Sequence, residues 1–371
     1  MPNEEKQILD ILTILPEKLP CGYKILWKEL SNNKIDLYVD KSGFEGGSKA
    51  KSIKIKRFIP LGDLFFEGMG LWFGDGSKLS EGIQKIFGFT NNQINLHKHF
   101  LSFSKQCLGI NSEEFKARIL IPKELSNNIK EIEKEISNKL HIPISNFNKE
   151  RIQKVSEPCL EIRICSTLLG LINNILLKKF KNTIYENKFV AGFLRGLIAS
   201  EGCIHLGIRK RLKMVSIAAK EESERDFIRK LLLSLSIIPN KDGYATVLIT
   251  GLSNFKIINK WNLCELHPIK NSKFKLGLKL IKKEVFRKVE GKLWILKLLS
   301  TQTRTVRELS DLLNRTPGSI RNNHLIGLEK LGLVKRKGRI NNCRIWKITK
   351  EGLKILQEEN PLKKLKHMNL R

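Results

Sequence analysis

The chain has 371 residues with 68 basic and 37 acidic side chains, so its formal net charge is +31 and its isoelectric point is near 9.9. Such an excess of positive charge on a folded chain favours a polyanionic partner, nucleic acid first and an anionic membrane surface second. No run of 18 apolar residues occurs, and the N-terminus MPNEEKQ is acidic where a secretory signal is basic. We therefore expect a cytoplasmic protein that spans no membrane.

The seven cysteines do not form a recognisable framework. None lies in a Cys-x-x-Cys pair and their number is odd, which argues against disulfide bonding and against a zinc ribbon. Cys264 and His267 have the spacing of metal ligands, but no second pair lies nearby, so we interpret them as structural. His97 and His99 are interpreted in the same way.

Residues 1–60 are predicted to form a small accessory region. Residues 4–15 have the spacing of a short amphipathic helix, which Pro16 would end. The stretch 48–57 alternates Lys with Ile and predicts a basic strand after a GFEGG loop.

An internal repeat follows, with a first copy at 61–182 and a second at 183–282. The copies begin LGDLFFEGMGLWFGDGSK (61–78) and NKFVAGFLRGLIASEGCI (187–204), and both segments predict an apolar helix that ends in an acid and a glycine. Strand and helix patterns follow in each copy, so we predict an α+β fold. The predicted strands are 83–90, 114–121, 159–166, 203–219 and 244–250, and the predicted helices are 93–108, 168–179, 221–235 and 252–262, with an inserted helix at 124–139.

From residue 285 the pattern changes to three helices, at 294–299, 306–313 and 320–331, followed by two strands joined by a basic loop. Thr305, with Glu308 three residues later, is predicted to cap the second helix, and Pro317 suits the first turn of the third. The segment 361–371, PLKKLKHMNLR, is predicted to be a loose basic tail.

Both repeated helices carry small residues at four-residue spacing, which places them on one face. Without side-chain bulk on that face, two helix backbones can approach closely, and this pairing would bring Asp75 and Glu201 side by side at the helix ends. The small residues are Gly70 and Gly74 in the first helix and Gly192, Gly196 and Ser200 in the second.

Two carboxylates at adjacent helix ends are electrostatically unfavourable. Each opposes the helix macrodipole, and the two repel each other. Gly76 and Gly202 are well suited to end each helix, but a glycine does not compensate the negative charge of the acid before it. The charge pattern therefore predicts a cation in the gap. Oxygen ligands favour Mg²⁺, which can activate a water and stabilise the leaving oxygen in phosphodiester cleavage.

GMGLWFGDG (68–76) and LRGLIASEG (194–202) resemble the two LAGLIDADG motifs of the homing endonuclease family, over about residues 61–280. The resemblance implies two pseudo-symmetric αββαββα halves whose motif helices form the interface, and sheets that form a saddle over the DNA major groove. It also implies a metal bound by the last acid of each motif, with help from the preceding backbone carbonyls. The implied metal ligands are Asp75 and Glu201, with the carbonyls of Gly74 and Ser200.

The resemblance also implies a lysine or glutamine that orders the attacking water at the end of the second strand. Lys220 matches this position in the second copy, whereas the first copy has Asn91 and Asn92 there. Phe73 and Ala199 occupy the positions at which the family motif has its first aspartate. That aspartate is not a metal ligand in the family.

Affinity for DNA of any sequence is expected from lysine and arginine side chains near phosphates. The basic residues that the repeat places in or beside its first hairpins are Lys78 and Lys85 in the first copy and Arg209, Lys210, Arg211 and Lys213 in the second.

Residues 285–360 resemble a winged helix-turn-helix domain, on the segments GLEKLGLVKRKG and RIWKITKEG. In that class the third helix enters the major groove by its N-terminal half. The alternative is a protein–protein module, and the basic wing favours DNA. The candidate DNA contacts are Ser319, Arg321, Asn322 and Asn323 in the helix and Lys335, Arg336, Lys337 and Arg339 in the wing.

These features predict a monomeric, Mg²⁺-dependent, site-specific endonuclease that cuts both strands of duplex DNA, with an appended DNA-binding domain. Two alternatives stay open. WhiA-type bacterial regulators resemble this layout but have lost the catalytic acids, and they bind DNA as transcription regulators without cutting it. Some relatives of the endonuclease family act as maturases, which would make intron RNA the partner.

Overall fold

The computed structural model describes residues 7–19, 22–40, 52–77, 86–153, 157–183, 187–207, 210–240, 243–281, 288–313, 315–340 and 343–368. They divide into two units. The first includes nearly all of the chain up to residue 276, and the second includes residues 277–371 and the short segments 207–213 and 251–255. In the described ranges, no helix is both long and apolar enough to cross a membrane.

The N-terminal region is built from strands. A ribbon pairs its first strand with its last, and the other three form an antiparallel sheet in the order β2-β3-β4. The strands are β1 (Gln7–Asp10), β2 (Ile25–Leu30), β3 (Lys34–Val39), β4 (Ile53–Lys56) and β5 (Phe58–Leu61). The predicted basic strand at 48–57 is confirmed over Ile53–Lys56 as β4, while residues 48–51 and the GFEGG loop lie outside the described residues.

The predicted helix at 4–15 is wrong. From residue 7 this segment is strand β1 and one 3₁₀ turn, Ile11–Thr13, in which Leu12 N donates to Asp10 Oδ1 over 3.1 Å. Residues Gln7 to Asp10 pair with residues Leu61 to Phe58 of β5. Local apolar spacing cannot reveal a partner strand that lies so far along the chain.

The first copy of the repeat packs helices on one side of an antiparallel sheet with the order β6-β9-β7, which β8 extends in parallel at its edge. Alternating residues such as Phe87, Phe89 and Ile119 point into the core. The inserted helix is confirmed as α3. The elements are α1 (Asp63–Asp75), β6 (Ile86–Asn91), α2 (Ile94–Phe103), β7 (Lys116–Ile121), α3 (Ile129–Leu140), β8 (Arg151–Ile152), β9 (Cys159–Cys165) and α4 (Thr167–Thr183).

The second copy repeats this arrangement with a sheet of order β10-β11-β12. The predicted strand region 203–219 is a hairpin, and the predicted α+β class is confirmed. The sequence did not predict the last helix, α8. The elements are α5 (Asn187–Glu201), β10 (Gly202–Leu206), β11 (Leu212–Ala218), α6 (Glu222–Ser234), β12 (Thr246–Ile249), α7 (Leu252–Lys260) and α8 (Pro268–Lys279).

The C-terminal unit has the predicted helices and two-stranded wing. Thr305 caps α10 as predicted: its Oγ1 accepts from Glu308 N over 3.2 Å, and Glu308 Oε2 accepts from Thr305 N over 2.6 Å. Pro317 lies in the first turn of α11, and a π-helical turn, Arg321–Leu325, joins α11 to α12. The elements are α9 (Lys288–Thr301), β13 (Arg304–Thr305), α10 (Val306–Leu312), α11 (Pro317–Ile320), α12 (Ile326–Lys330), β14 (Val334–Ile340), β15 (Cys343–Ile348), α13 (Lys350–Gln357) and α14 (Pro361–Met368).

The prediction of a loose C-terminal tail is wrong for residues 361–368, which form α14. Leu365 is completely buried in the core of this unit, and Met368 packs against the same core. The three-residue spacing of these two side chains places them on one helix face, so the helix is amphipathic despite its lysines.

His97 has the structural role that the sequence predicted. Its side chain is completely buried on α2, with Nδ1 3.0 Å from the carbonyl O of Gln93 and Nε2 2.9 Å from that of Leu160. Burial lowers the pKa of His97 to about 4. The neutral imidazole is therefore part of the folded core.

This histidine predicts a loss of stability in acid. The pKa of this imidazole is about 4 in the folded chain and about 6.5 in the unfolded chain. As the pH falls below 6.5, the unfolded chain therefore binds a proton here while the folded chain does not, and the unfolded state becomes relatively more stable. At pH 5 this costs about 2 kcal/mol of unfolding free energy. Between pH 7 and pH 5, the free energy of unfolding measured by urea denaturation should fall by about 2 kcal/mol less in His97→Gln than in the wild-type protein. Equal losses in the two proteins would contradict the assignment.

Candidate functional site at the paired helix ends

Helices α1 and α5 pack backbone against backbone through the predicted glycines. A Cβ built on Gly70 would lie 2.1 Å from the carbonyl O of Phe193, and one on Gly196 would lie 2.1 Å from the carbonyl O of Glu67. No side chain larger than hydrogen fits at these two positions without moving a backbone. The predicted pairing of the two small-residue faces is confirmed.

A network of charged side chains holds the same two helices together. Arg195 on α5 donates from Nε to Glu67 Oε1 over 2.6 Å, and its Nη2 lies 3.0 Å from Asp63 Oδ1. His99 Nε2 lies 2.9 Å from Glu67 Oε2. Burial raises the pKa of Glu67, but the bonds from His99 and Arg195 outweigh it, so the pKa lies below its usual value. Glu67 is thus a fixed anion in this interface.

The close packing brings the two motif acids together, as predicted. Asp75 and Glu201 are the last residues of α1 and α5. A Cβ built on Gly74 would lie 1.9 Å from Ser200 Oγ and 3.1 Å from Glu201 Cγ. Asn91, at the end of β6, donates from Nδ2 to Asp75 Oδ2 over 2.6 Å. The residue that departs from the family pattern in the first copy therefore contacts the first acid directly.

A lysine that the sequence did not single out lies at this site. Lys270, on α8, donates from Nζ to the last three carbonyls of α5 before Glu201, at 3.1 Å from Ile198 O, 2.6 Å from Ala199 O and 2.9 Å from Ser200 O. Helix α5 thus ends on an ammonium group, which suits the negative end of its dipole.

The same ammonium lies within electrostatic reach of both acids. Burial lowers the pKa of Lys270, and the negative charges of Asp75 and Glu201 act against that shift. No signal in the sequence marks this residue, because it is one of many lysines and lies 70 residues from Ser200. A side-chain ammonium thus lies at the end of α5 that carries Glu201, and the predicted metal ion stays a prediction.

The donor set at this site does not fit a divalent cation while Lys270 is in this position. Mg²⁺ requires oxygen ligands at about 2.0–2.1 Å in octahedral geometry. The carbonyl of Ser200, a predicted ligand, accepts from Lys270, and Asp75 accepts from Asn91. In the part of the chain that the structure describes, no group of three or more His, Cys, Asp or Glu side chains could hold a metal ion.

Lys220 lies just after β11, where the second copy was expected to place it, and its side chain is exposed. Its carbonyl O accepts from Arg225 Nη1 over 2.6 Å, which fixes the backbone at the start of α6. Its role toward an attacking water stays a prediction.

The predicted basic residues of the first hairpins are only partly described. Lys78, Lys85 and Arg209 lie outside the described residues. Lys210 and Lys213 are exposed and Arg211 is half-buried, and Arg211 O accepts from Gly207 N in the turn between β10 and β11.

Three basic residues that the sequence did not single out lie on the sheet of the first copy. Lys116 pairs with Arg163 across β7 and β9, and Arg118 pairs with Glu161. These side chains alternate with buried Ala117, Ile119 and Ile162, so they lie on the face of the sheet opposite the core. The period-two pattern of KARILI was the signal that could have identified them.

The C-terminal unit exposes three consecutive candidates, Arg321, Asn322 and Asn323, in the π-helical turn, while Ser319 is half-buried and accepts from Asn323. In the wing, Lys335, Lys337 and Arg339 are exposed. Arg336 is exposed as well, and it donates to Glu329 Oε2 over 2.7 Å and lies 5.4 Å from the ring centre of Trp346. Contacts of these four residues with DNA stay predictions.

Cys264 and His267 take part in the packing around α8. Cys264 is buried, and burial raises the pKa of its thiol to about 12. His267 Nδ1 accepts from Lys270 N over 3.3 Å, at the start of the helix that presents Lys270. These contacts agree with a structural role for both residues.

Comparison with known families finds a match for each of two segments of the chain. Residues 188–260, which include α5 and the sheet of the second copy, match the family model described as a LAGLIDADG-like domain. This segment is similar to the members of that family. Residues 290–336 match the family described as bacterial regulatory protein, arsR family, so the helix-turn-helix is also confirmed. No curated protein matches the chain.

Solved structures of LAGLIDADG proteins are similar to this chain at low identity. The N-terminal LAGLIDADG domain of DUF199/WhiA is 14% identical, over 55% of this chain and 85% of that one, with a TM-score of 0.33. I-DmoI in complex with DNA and Ca is 17% identical, over 58% and 96%, with a TM-score of 0.31. Full-length DUF199/WhiA from Thermatoga maritima is 11% identical, over 72% and 90%, with a TM-score of 0.36. Values this low carry no conclusion about activity.

Proposed function

We propose that this protein binds double-stranded DNA at specific sites through both its LAGLIDADG-like part and its helix-turn-helix unit. The observation that carries the proposal is the C-terminal unit, in which Arg321, Asn322 and Asn323 are exposed on the third helix and a basic wing follows. Arginine and asparagine are the side chains that form paired hydrogen bonds with guanine and adenine in the major groove.

The LAGLIDADG-like part supports the same proposal. Lys116, Arg118 and Arg163 lie on the outward face of one sheet, and Lys210 and Lys213 lie in or beside the turn of the hairpin in the other copy. Basic side chains on and beside a sheet suit contacts with phosphates, which position a protein on DNA without specifying sequence. The net charge of +31 adds long-range attraction.

Selection from random-sequence duplex DNA tests this function. The full chain is incubated with the pool at moderate salt, and the retained DNA is sequenced. We expect a recurring sequence in the retained fraction, and the variant Arg321→Ala/Asn322→Ala should lose that enrichment while it keeps binding to DNA of any sequence. Retention of the input pool without any enriched sequence would contradict site-specific binding.

A metal-dependent endonuclease is the second candidate, and the observation that favours it is the pair of acids at adjacent helix ends. The ammonium of Lys270, which donates to the carbonyl of Ser200 next to Glu201, argues against it. Incubation of the enriched DNA with Mg²⁺ separates the two candidates. A binding protein leaves the DNA intact, whereas an endonuclease produces defined ends that disappear in Asp75→Asn and in Glu201→Gln.

A further inference from the structure

We propose that the ammonium group of Lys270 is a built-in counter-ion for Asp75 and Glu201, and that it takes the position in which a divalent cation would bind. The inference deepens the proposed function and rests on it. It gives the acid pair of a DNA-binding protein a structural role at the interface between α1 and α5, in place of metal binding. It also goes beyond the two family matches, neither of which includes Lys270.

The hydrogen bonds fix the ammonium at one point. Lysine has three N–H donors, and Lys270 directs them to three consecutive carbonyls of α5. One of these carbonyls belongs to Ser200, the oxygen that a metal at this site was expected to use. A cation cannot bind that oxygen in the same direction while Lys270 donates to it.

The charges lead to the same conclusion. Gly74 and Ser200 are in contact, so the carboxylates of the residues that follow them share one small region with the ammonium. The positive charge of Lys270 offsets part of the negative charge of the two carboxylates. A divalent ion would have to approach a fixed positive charge, and in a partly buried site that repulsion is strong.

Capping of α5 alone would not require a charge. A neutral amide can donate hydrogen bonds to helix carbonyls, but it does not compensate the two acids. Lys270→Gln therefore keeps a donor at the helix end and removes the charge, whereas Lys270→Met removes both. The comparison separates a role in capping from a role as counter-ion.

Binding of Mn²⁺ to the full-length chain, without DNA, tests the inference. The loss of free Mn²⁺ is followed by electron paramagnetic resonance. We expect no saturable binding of Mn²⁺ to the wild-type protein. Lys270→Gln and Lys270→Met should each bind one Mn²⁺ per chain, with a Kd at least about tenfold lower than the Kd of any weak binding to the wild type. Lys273→Met removes the same charge from an exposed position on the same helix and should behave as wild type.

The acids must account for any gain in binding. Adding Glu201→Gln to Lys270→Gln should abolish the new Mn²⁺ site. Wild-type protein that binds Mn²⁺ as tightly as Lys270→Gln would overturn the inference, and so would a gain that survives in the double variant. If Lys270→Met does not fold, the glutamine variant alone decides, because it keeps the helix capped.

The outcome is independent of the proposed function. Mn²⁺ binding is measured without nucleic acid, so it can be interpreted even if the DNA selection finds no enriched sequence. Conversely, unchanged Mn²⁺ affinity in Lys270→Gln would refute the counter-ion while the DNA-binding surfaces, which do not include Lys270, would stand.

Discussion

Replacing Gly196 by alanine is expected to destabilise the first unit by at least about 3 kcal/mol. The added Cβ would lie 2.1 Å from Glu67 O and 2.7 Å from Leu71 N, and neither backbone atom can move without separating α1 from α5. In an isolated helix the same change would be stabilising by about 1 kcal/mol. Packing and helix propensity therefore predict opposite signs for the change in the free energy of unfolding. Urea denaturation measures which effect is larger.

Gly318→Ala provides the control. Gly318 lies in α11, and a Cβ built on it meets no atom within 4 Å. This variant should be neutral or slightly more stable than wild type. A Gly196→Ala protein with the wild-type urea midpoint would show that the two helices are not packed as closely as described.

Neutralising the wing is expected to weaken DNA binding by roughly 10²-fold at moderate salt. The variant Lys335→Gln/Lys337→Gln/Arg339→Gln removes three exposed charges from β14. If each contacts one phosphate, the slope of log K against log salt concentration becomes less steep by about 2.7, since each contact contributes about 0.9. Fluorescence anisotropy over a salt series measures both values.

The matched control removes three exposed lysines from the helices of the same unit, Lys350, Lys354 and Lys363, again by glutamine. The net charge changes by the same amount, so the control shows what overall charge alone contributes. If both triple variants change the salt slope equally, the wing has no special part in binding DNA.

Much of the site was predictable because its signal is local. Four-residue glycine spacing identified the contact faces of α1 and α5, and from them the proximity of Asp75 and Glu201. Alternation identified most strands of the repeat. Thr305 with Glu308, three residues apart, identified a capping box that the structure confirms.

The features that were missed depend on contacts between distant parts of the chain. Residues 7–10 form a strand because β5 pairs with them, although their own spacing suits a helix. Nothing in the sequence indicated the ammonium of Lys270. This group reaches the end of α5 only because α8, which was not predicted, folds back to it.

The π-helical turn Arg321–Leu325 restricts changes in the length of this segment. Each helical residue rotates the following side chains by about 100°. Deleting one residue from this turn would therefore swing Leu325 and Leu328, both completely buried, away from the hydrophobic core. The exposed positions 321–323 can exchange one side chain for another without this penalty. The side chains proposed to contact bases can therefore vary by substitution, while the length of the segment stays constant.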